Sequence, residues 1–126
     1  MGIPGREDRT PGCCGQPGAG PWWAEQGSGE PLVLLHGGLA DARFFSRNVP
    51  ALAGRFRVYT PDARGHGHTP DRPGPFTPDL LMRDTVAFLT SVVGGPAHLA
   101  GHSMGGGTAL QVALRHPNPG PGAGPG

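Results

Sequence analysis

The sequence predicts an α/β fold, a mostly parallel sheet flanked by helices. Three observations predict it. Strand-like and helix-like segments alternate through the middle of the chain, and such alternation favours parallel pairing with helical crossovers. The first strand segment, Leu32-Val33-Leu34-Leu35, is an unbroken apolar run closed by Gly37 and Gly38. That is the pattern of a strand buried on both faces. Finally, two segments with helical spacing carry legible start and stop signals.

The elements follow in order. Residues 1–21 contain ten Gly or Pro and show neither a helical nor a strand period, so they read as a disordered head. Glu25 to Glu30, "EQGSGE", reads as a turn. The strand Leu32–Leu35 comes next. Phe44 to Gly54 reads as a short helix interrupted at Pro50 and ended by Gly54. Phe56 to Thr60, "FRVYT", is β-branched and aromatic, a second strand stopped by Pro61. Asp62 to Pro75 is a long polar loop. Thr77 is placed to cap a helix, with Pro78 at its first position and Asp79 in its first turn. Leu81, Thr85, Phe88 and Val92 follow at helical spacing, and Gly94 is the natural stop. Ala97 to Gly101 is a third strand. A last helix runs from Met104 to His116, with Leu110/Leu114 and Ala109/Ala113 as i,i+4 pairs, Arg115 near its C-terminus and Pro117 as terminator. Seven of the nine residues 118–126 are Gly or Pro and read as a disordered tail. The units are therefore 1–21, 22–117 and 118–126, with no internal repeat.

Bulk composition excludes several classes. The 24 glycines and 16 prolines among 126 residues are concentrated at the two ends, and the middle has ordinary globular composition. Net charge is +1 with no basic block, so the clustered footprint of a nucleic-acid binder is missing. No apolar run is long enough to span a bilayer, and the N-terminus lacks a signal core, so no membrane association is expected and the cytoplasm is the default location. Met1-Gly2 is followed by Arg6 where a myristoylation signal needs Ser or Thr. Cys13 and Cys14 are adjacent, lie in the Gly/Pro-rich head, and match no zinc spacing. No metal and no cofactor is expected.

The segment that carries chemistry is Gly101-His102-Ser103-Met104-Gly105. In a chain this rich in glycine, one of its four serines has Gly at both offsets by chance about 15% of the time. Context strengthens the pattern: a strand precedes it and a helix follows it, as a nucleophile turn requires. Small residues at Gly101 and Gly105 keep such a turn free of clashes. A structural turn explains the glycines but not a serine at the one position that projects. An acyl transfer also needs two preorganised N–H donors for its oxyanion. One would come from Met104, after the serine. The other would come from the loop after the first strand, with Gly38 the best placed and Leu39 next. Asp62, Arg64, Gly65 and Gly67 read as a loop folding under the site, with Asp62 and Arg64 forming a charge pair.

Taken together, "HGG", "DARGHGHT" and "GHSMGG", in this order and spacing, resemble the N-terminal half of the α/β-hydrolase fold superfamily. The similarity is to its small esterases, carbon–carbon bond hydrolases and cofactor-free haloperoxidase-like enzymes, and covers about Ala24 to Pro117. Thr69 stands where the family often has Ser. The resemblance implies a partial α/β-hydrolase fold and hydrolysis of a small-molecule ester or related acyl bond. It makes Ser103 the nucleophile, the Met104 and Gly38 N–H groups the oxyanion hole, and Gly101, His102 and Gly105 the turn around the serine. A serine at this position argues against relatives that attack with a carboxylate.

The family's chain order is Ser, then Asp or Glu, then His. The 23 residues after Ser103 contain no Asp or Glu, and His116 as their one histidine. Thirteen helical residues span about 20 Å, too far for a hydrogen bond. His36, His66, His68, His98 and His102 do not match the base position. The expectation is a truncated chain lacking the triad acid and base, or else a non-catalytic fragment or binding module on the same scaffold. The last strand would then be an open apolar edge, with marginal stability. Oligomeric state is not readable.

Overall fold

The structure is a computed structural model that describes residues 21–71 and 76–116. The expected disordered head with Cys13 and Cys14 (residues 1–20), the tail 118–126 and the helix stop at Pro117 lie outside the described residues.

Among the described residues, four strands form one sheet: β1 (Trp23–Gln26), β2 (Glu30–Leu35), β3 (Phe56–Pro61) and β4 (His98–Gly101), in the order β1-β3-β2-β4. β2 pairs parallel with both β3 and β4, which confirms the mostly parallel sheet. β1 is a correction. "WAEQ" stood at the junction of the Gly/Pro-rich head and a turn, and no strand was expected there. It pairs antiparallel with β3, Trp23 opposite Pro61 and Gln26 opposite Val58. Two features dock it: Ala24 is buried, and Glu25 forms an ion pair with Arg57 on β3. The turn expectation holds only for the middle of "EQGSGE", Gly27 to Gly29, where both glycines have positive φ; Glu25 and Gln26 belong to β1 and Glu30 begins β2.

β2 is buried as its composition predicts, and its side chains divide between two cores. Val33 and Leu35 pack with Tyr59, Met82, Phe88, Leu89 and Val112. Leu32 and Leu34 point the other way, to Phe45 and Val58. The helical segments supply Met82, Phe88, Leu89 and Val112 of the first group. α2 (Pro78–Phe88) begins at Thr77, whose hydroxyl accepts the Leu80 N–H at 3.1 Å, as expected of that cap. It passes at Leu89–Val93 into one π-helical turn before stopping at Gly94, φ 89. α3 spans Met104–Arg115 and buries Gly105, Thr108 and Val112. Leu110 and Leu114 are 60% and 69% exposed, so the leucine pair is not its core face within the described residues.

The stretch after β2 departs in detail from the single interrupted helix expected. A 3-10 turn covers Ala42–Phe45, and a short helix α1 covers Val49–Leu52. The break falls at Ser46–Asn48, because Pro50 sits in the first turn of α1, where its missing N–H costs nothing.

From β2 the chain moves to β3 on one side, then returns to β4 on the other. The C-terminal ends of β2 and β4 are thus neighbours at a point where the strand order reverses. Crevices at such points are where open α/β sheets bind ligands.

Truncation of a side chain in the main core has a definite cost. Leu89→Ala, at 0% exposure, lowers unfolding free energy by about 2–5 kcal/mol. Leu114→Ala stays within about 0.5 kcal/mol. Urea midpoints of the two variants check the contrast.

Candidate active site

Ser103 sits between the end of β4 and the first residue of α3. Its backbone is at φ 54 and ψ −112, a left-handed strain that a non-glycine residue rarely holds. Its hydroxyl makes no cap to the helix it begins, and the residue is exposed. Hydrogen bonds on both sides hold the turn. His102 N–H donates to the Leu35 carbonyl at 3.0 Å, prolonging the β2–β4 ladder by one residue. Gly105 N–H donates to His102 at 2.9 Å, and Gly107 N–H to the Ser103 carbonyl at 3.0 Å.

Space explains the two flanking glycines. A Cβ on Gly105 would collide with the Leu35 carbonyl, and one on Gly101 would collide with the Gly105 backbone. α3 therefore starts in backbone contact with the ends of β2 and β4. Gly107 is different: a Cβ there would meet nothing within 4 Å.

The loop after β2 lies against this turn. A Cβ on Gly37 would stand 3.3 Å from the Ser103 Cβ, and one on Gly38 would stand 3.8 Å from the Met104 sulfur. The expected site residues Gly38, Met104, Gly101, His102, Gly105 and Ser103 are thus brought together. Met104 is the first residue of α3, so its N–H is among the first-turn donors without an intrahelical partner. Leu39, the alternative donor, is fully exposed with φ 62. His102 points sideways, its ring stacked on Phe44 with centroids 4.6 Å apart. His116 follows the last turn of the twelve-residue α3, at the opposite end from Ser103.

The loop after β3 supports the site differently from expectation. Asp62 and Arg64 do not pair. Arg64 instead makes two 2.8 Å hydrogen bonds to Asp84 on α2, and this carboxylate raises the guanidinium pKa. Asp62 is 1% exposed and its carboxylate accepts from backbone: Ala42 N–H at 2.7 Å and His68 N–H at 2.8 Å. It ties the loop after β2 to the loop after β3, an arrangement the pairing i,i+2 in sequence concealed. Thr69 keeps a hydroxyl in this net, donating to the Asp62 carbonyl at 2.7 Å and accepting Trp22 N–H at 3.0 Å. Sequence reasoning also passed over His36, which is 2% exposed with both ring nitrogens engaged. The signal was its place at the end of a fully buried run.

Asp41, at the far end of the loop after β2, is held by Arg43. The guanidinium donates to its carboxylate at 2.7 Å and 3.0 Å, and this bond lowers the Asp41 pKa from 3.8 to about 2. Among the described residues no three His, Cys, Asp or Glu converge to hold a metal, and no helix is long and apolar enough to cross a membrane.

The chain is similar to known proteins in both sequence and fold. The family model for the alpha/beta hydrolase fold matches residues 30–119. A thermophilic esterase from Thermogutta terrifontis superposes with a TM-score of 0.72 at 27% identity, covering 87% of this chain and 42% of that one. The chain is 42% identical over 93 residues to the dihydrolipoyllysine-residue acetyltransferase component of the acetoin cleaving system of Pseudomonas putida, covering 72% of this chain and 25% of that protein. It is 37% identical over 98 residues to the 2-hydroxy-6-oxo-6-(2'-aminophenyl)hexa-2,4-dienoic acid hydrolase of Metapseudomonas resinovorans, covering 75% and 34%. The chain thus spans about a quarter to a third of the length of these two relatives.

Gly105→Ala destabilises by at least about 1–3 kcal/mol, because backbone must move. Gly107→Ala stabilises by about 0.5–1 kcal/mol, because helix glycine is replaced without a clash. Thermal unfolding distinguishes the opposite signs. The Asp41 contribution has its own window: with the folded pKa depressed, it is complete above pH 3.8 and lost as pH falls toward about 2. Carboxyl NMR titration finds that low midpoint, and Arg43→Met moves it up toward 3.8.

Proposed function

The chain belongs to the alpha/beta hydrolase fold family, and on that premise we propose that it carries the nucleophile and oxyanion site of a serine hydrolase acting on ester or related acyl bonds. The observation that carries this reading is Ser103 held exposed at φ 54 beside Gly37 and Gly38, where the strand order reverses. In the proposed reaction Ser103 Oγ attacks the acyl carbon and gives its proton to a base. The carbonyl oxygen takes up the negative charge and accepts hydrogen bonds from Gly38 and Met104 N–H. Collapse expels the alcohol, protonated by the same base, and leaves an acyl-serine that water hydrolyses.

The base and its acid have no counterparts in the 23 residues after Ser103, which contain no Asp or Glu. We assign those two roles to parts of the fold that this segment does not include, in keeping with relatives about two to three times its length. The same observation favours a second reading, a binding module that keeps the scaffold without turnover. Serine chemistry separates the two. A fluorophosphonate probe labels Ser103, and Ser103→Ala abolishes that labelling while leaving the p-nitrophenyl acetate turnover that oxyanion stabilisation and binding alone provide. In an assembled triad the loss is on the order of 10⁶ in kcat. Without the base, about 10³–10⁴ over water remains from oxyanion stabilisation and binding. A parent chain that the probe labels no more than Ser103→Ala would favour the binding module.

A further inference from the structure

His36 follows β2 and is buried, so both ring nitrogens need partners. Nδ1 lies 2.7 Å from the Gly37 carbonyl oxygen, and Nε2 lies 3.0 Å from the Ala63 nitrogen. A carbonyl only accepts, so Nδ1 carries the proton. A backbone N–H only donates, so Nε2 receives one. The two partners together select the tautomer.

The Gly37 carbonyl belongs to the peptide unit whose N–H is that of Gly38. That unit is trans, so its C=O and N–H point to opposite sides of the plane. Gripping the oxygen therefore fixes the direction of the Gly38 N–H. The grip matters because a Gly-Gly pair has wide backbone freedom and Gly38 has no side chain to anchor it. The other end of the same loop is fixed too, since Asp62 accepts the Ala42 N–H. Ala63, which His36 holds, is the next residue in the chain. The segment 37–42 is thus closed at both ends onto one short stretch, Asp62-Ala63, and only its middle, with exposed Leu39, stands free.

We propose that His36 is a positioning residue: its Nδ1–H holds the Gly37 carbonyl and so aims the Gly38 N–H as an oxyanion donor, while its Nε2 ties that peptide to the loop after β3. The proposal rests on the reading of Gly38 as a donor. A merely structural His36 would serve to hold Ala63 in place. The two roles use different ring nitrogens, so side chains that copy one nitrogen each can separate them. An Asn amide nitrogen falls near Nδ1 and can donate to Gly37. A Gln side-chain oxygen reaches the Nε2 position and can accept from Ala63.

The test compares His36→Asn and His36→Gln in the full chain. Amide NMR follows Gly38, with Val33 and Val58 reporting the fold, and fluorophosphonate labelling follows Ser103. We expect His36→Gln to shift or broaden the Gly38 amide and to slow labelling about tenfold or more, part of the 10²–10³ that loss of a whole donor costs. His36→Asn keeps the Gly38 amide near its parent position and labelling within a few-fold. Parent-like Gly38 in His36→Gln, or equal damage in both variants, overturns the proposal. Should neither variant fold, ¹⁵N shifts of the parent His36 ring decide: a proton on Nε2 instead of Nδ1 overturns it. Absence of labelling in the parent would indict the serine reading alone, because the Gly38 and ring measurements do not depend on it.

Discussion

The contact on which the rest of the site depends is between bare backbones. The start of α3 lies against the end of β2 so closely that a methyl group on Gly105 would occupy the Leu35 carbonyl. From this approach several features follow. Gly101 must also lack a side chain, because the Gly105 backbone fills that space. The chain must turn from strand to helix within two residues, and the turn falls on Ser103 at φ 54. The serine is then forced outward, since inward space belongs to backbone. The glycines and the exposed hydroxyl are two consequences of one steric condition.

The loops around the turn are held mainly by directional bonds rather than by buried area. Asp62 and His36 are buried polar groups, and in a low-dielectric setting each would be costly unless satisfied. Each is satisfied by backbone: Asp62 by Ala42 and His68 N–H, His36 by Gly37 and Ala63. A backbone partner fixes the course of a loop more directly than a side-chain partner does, because no rotamer intervenes. By contrast, the Arg43–Asp41 pair shifts a pKa, but Arg43 is 85% exposed and such pairs contribute little to stability.

Much of this was legible in the sequence, for identifiable reasons. β2, β3 and β4 announced themselves by apolar or β-branched runs, and α2 by Thr77, Pro78 and Gly94. The glycine spacing around Ser103 located the turn, because steric demands act within a few residues. β1 was not legible: four residues, half of them polar, lie beside a Gly/Pro-rich head, and only pairing with β3 gives them a period. The Asp62–Arg64 pair was misread because nearness in sequence says little about direction in a loop. Alternating backbone turns send Arg64 to α2 and Asp62 inward. The role of His36 was hidden for the same reason, since Ala63 is 27 residues away.

The strain at Ser103 has a further implication. Holding a non-glycine residue in such a conformation costs on the order of 1–3 kcal/mol. Three hydrogen bonds flank it: His102 to Leu35, Gly105 to His102 and Gly107 to Ser103. At roughly 0.5–1.5 kcal/mol each, they are of the size needed to offset that strain. All three are internal to the β2, β4 and α3 junction, and none involves a carboxylate or an imidazole. The geometry of the turn is therefore a property of this segment itself. Groups that move protons can be added by other parts of a hydrolase without being needed to shape the turn. Under the proposed function, the serine is preorganised first, and reactivity is decided afterwards by what is placed beside it.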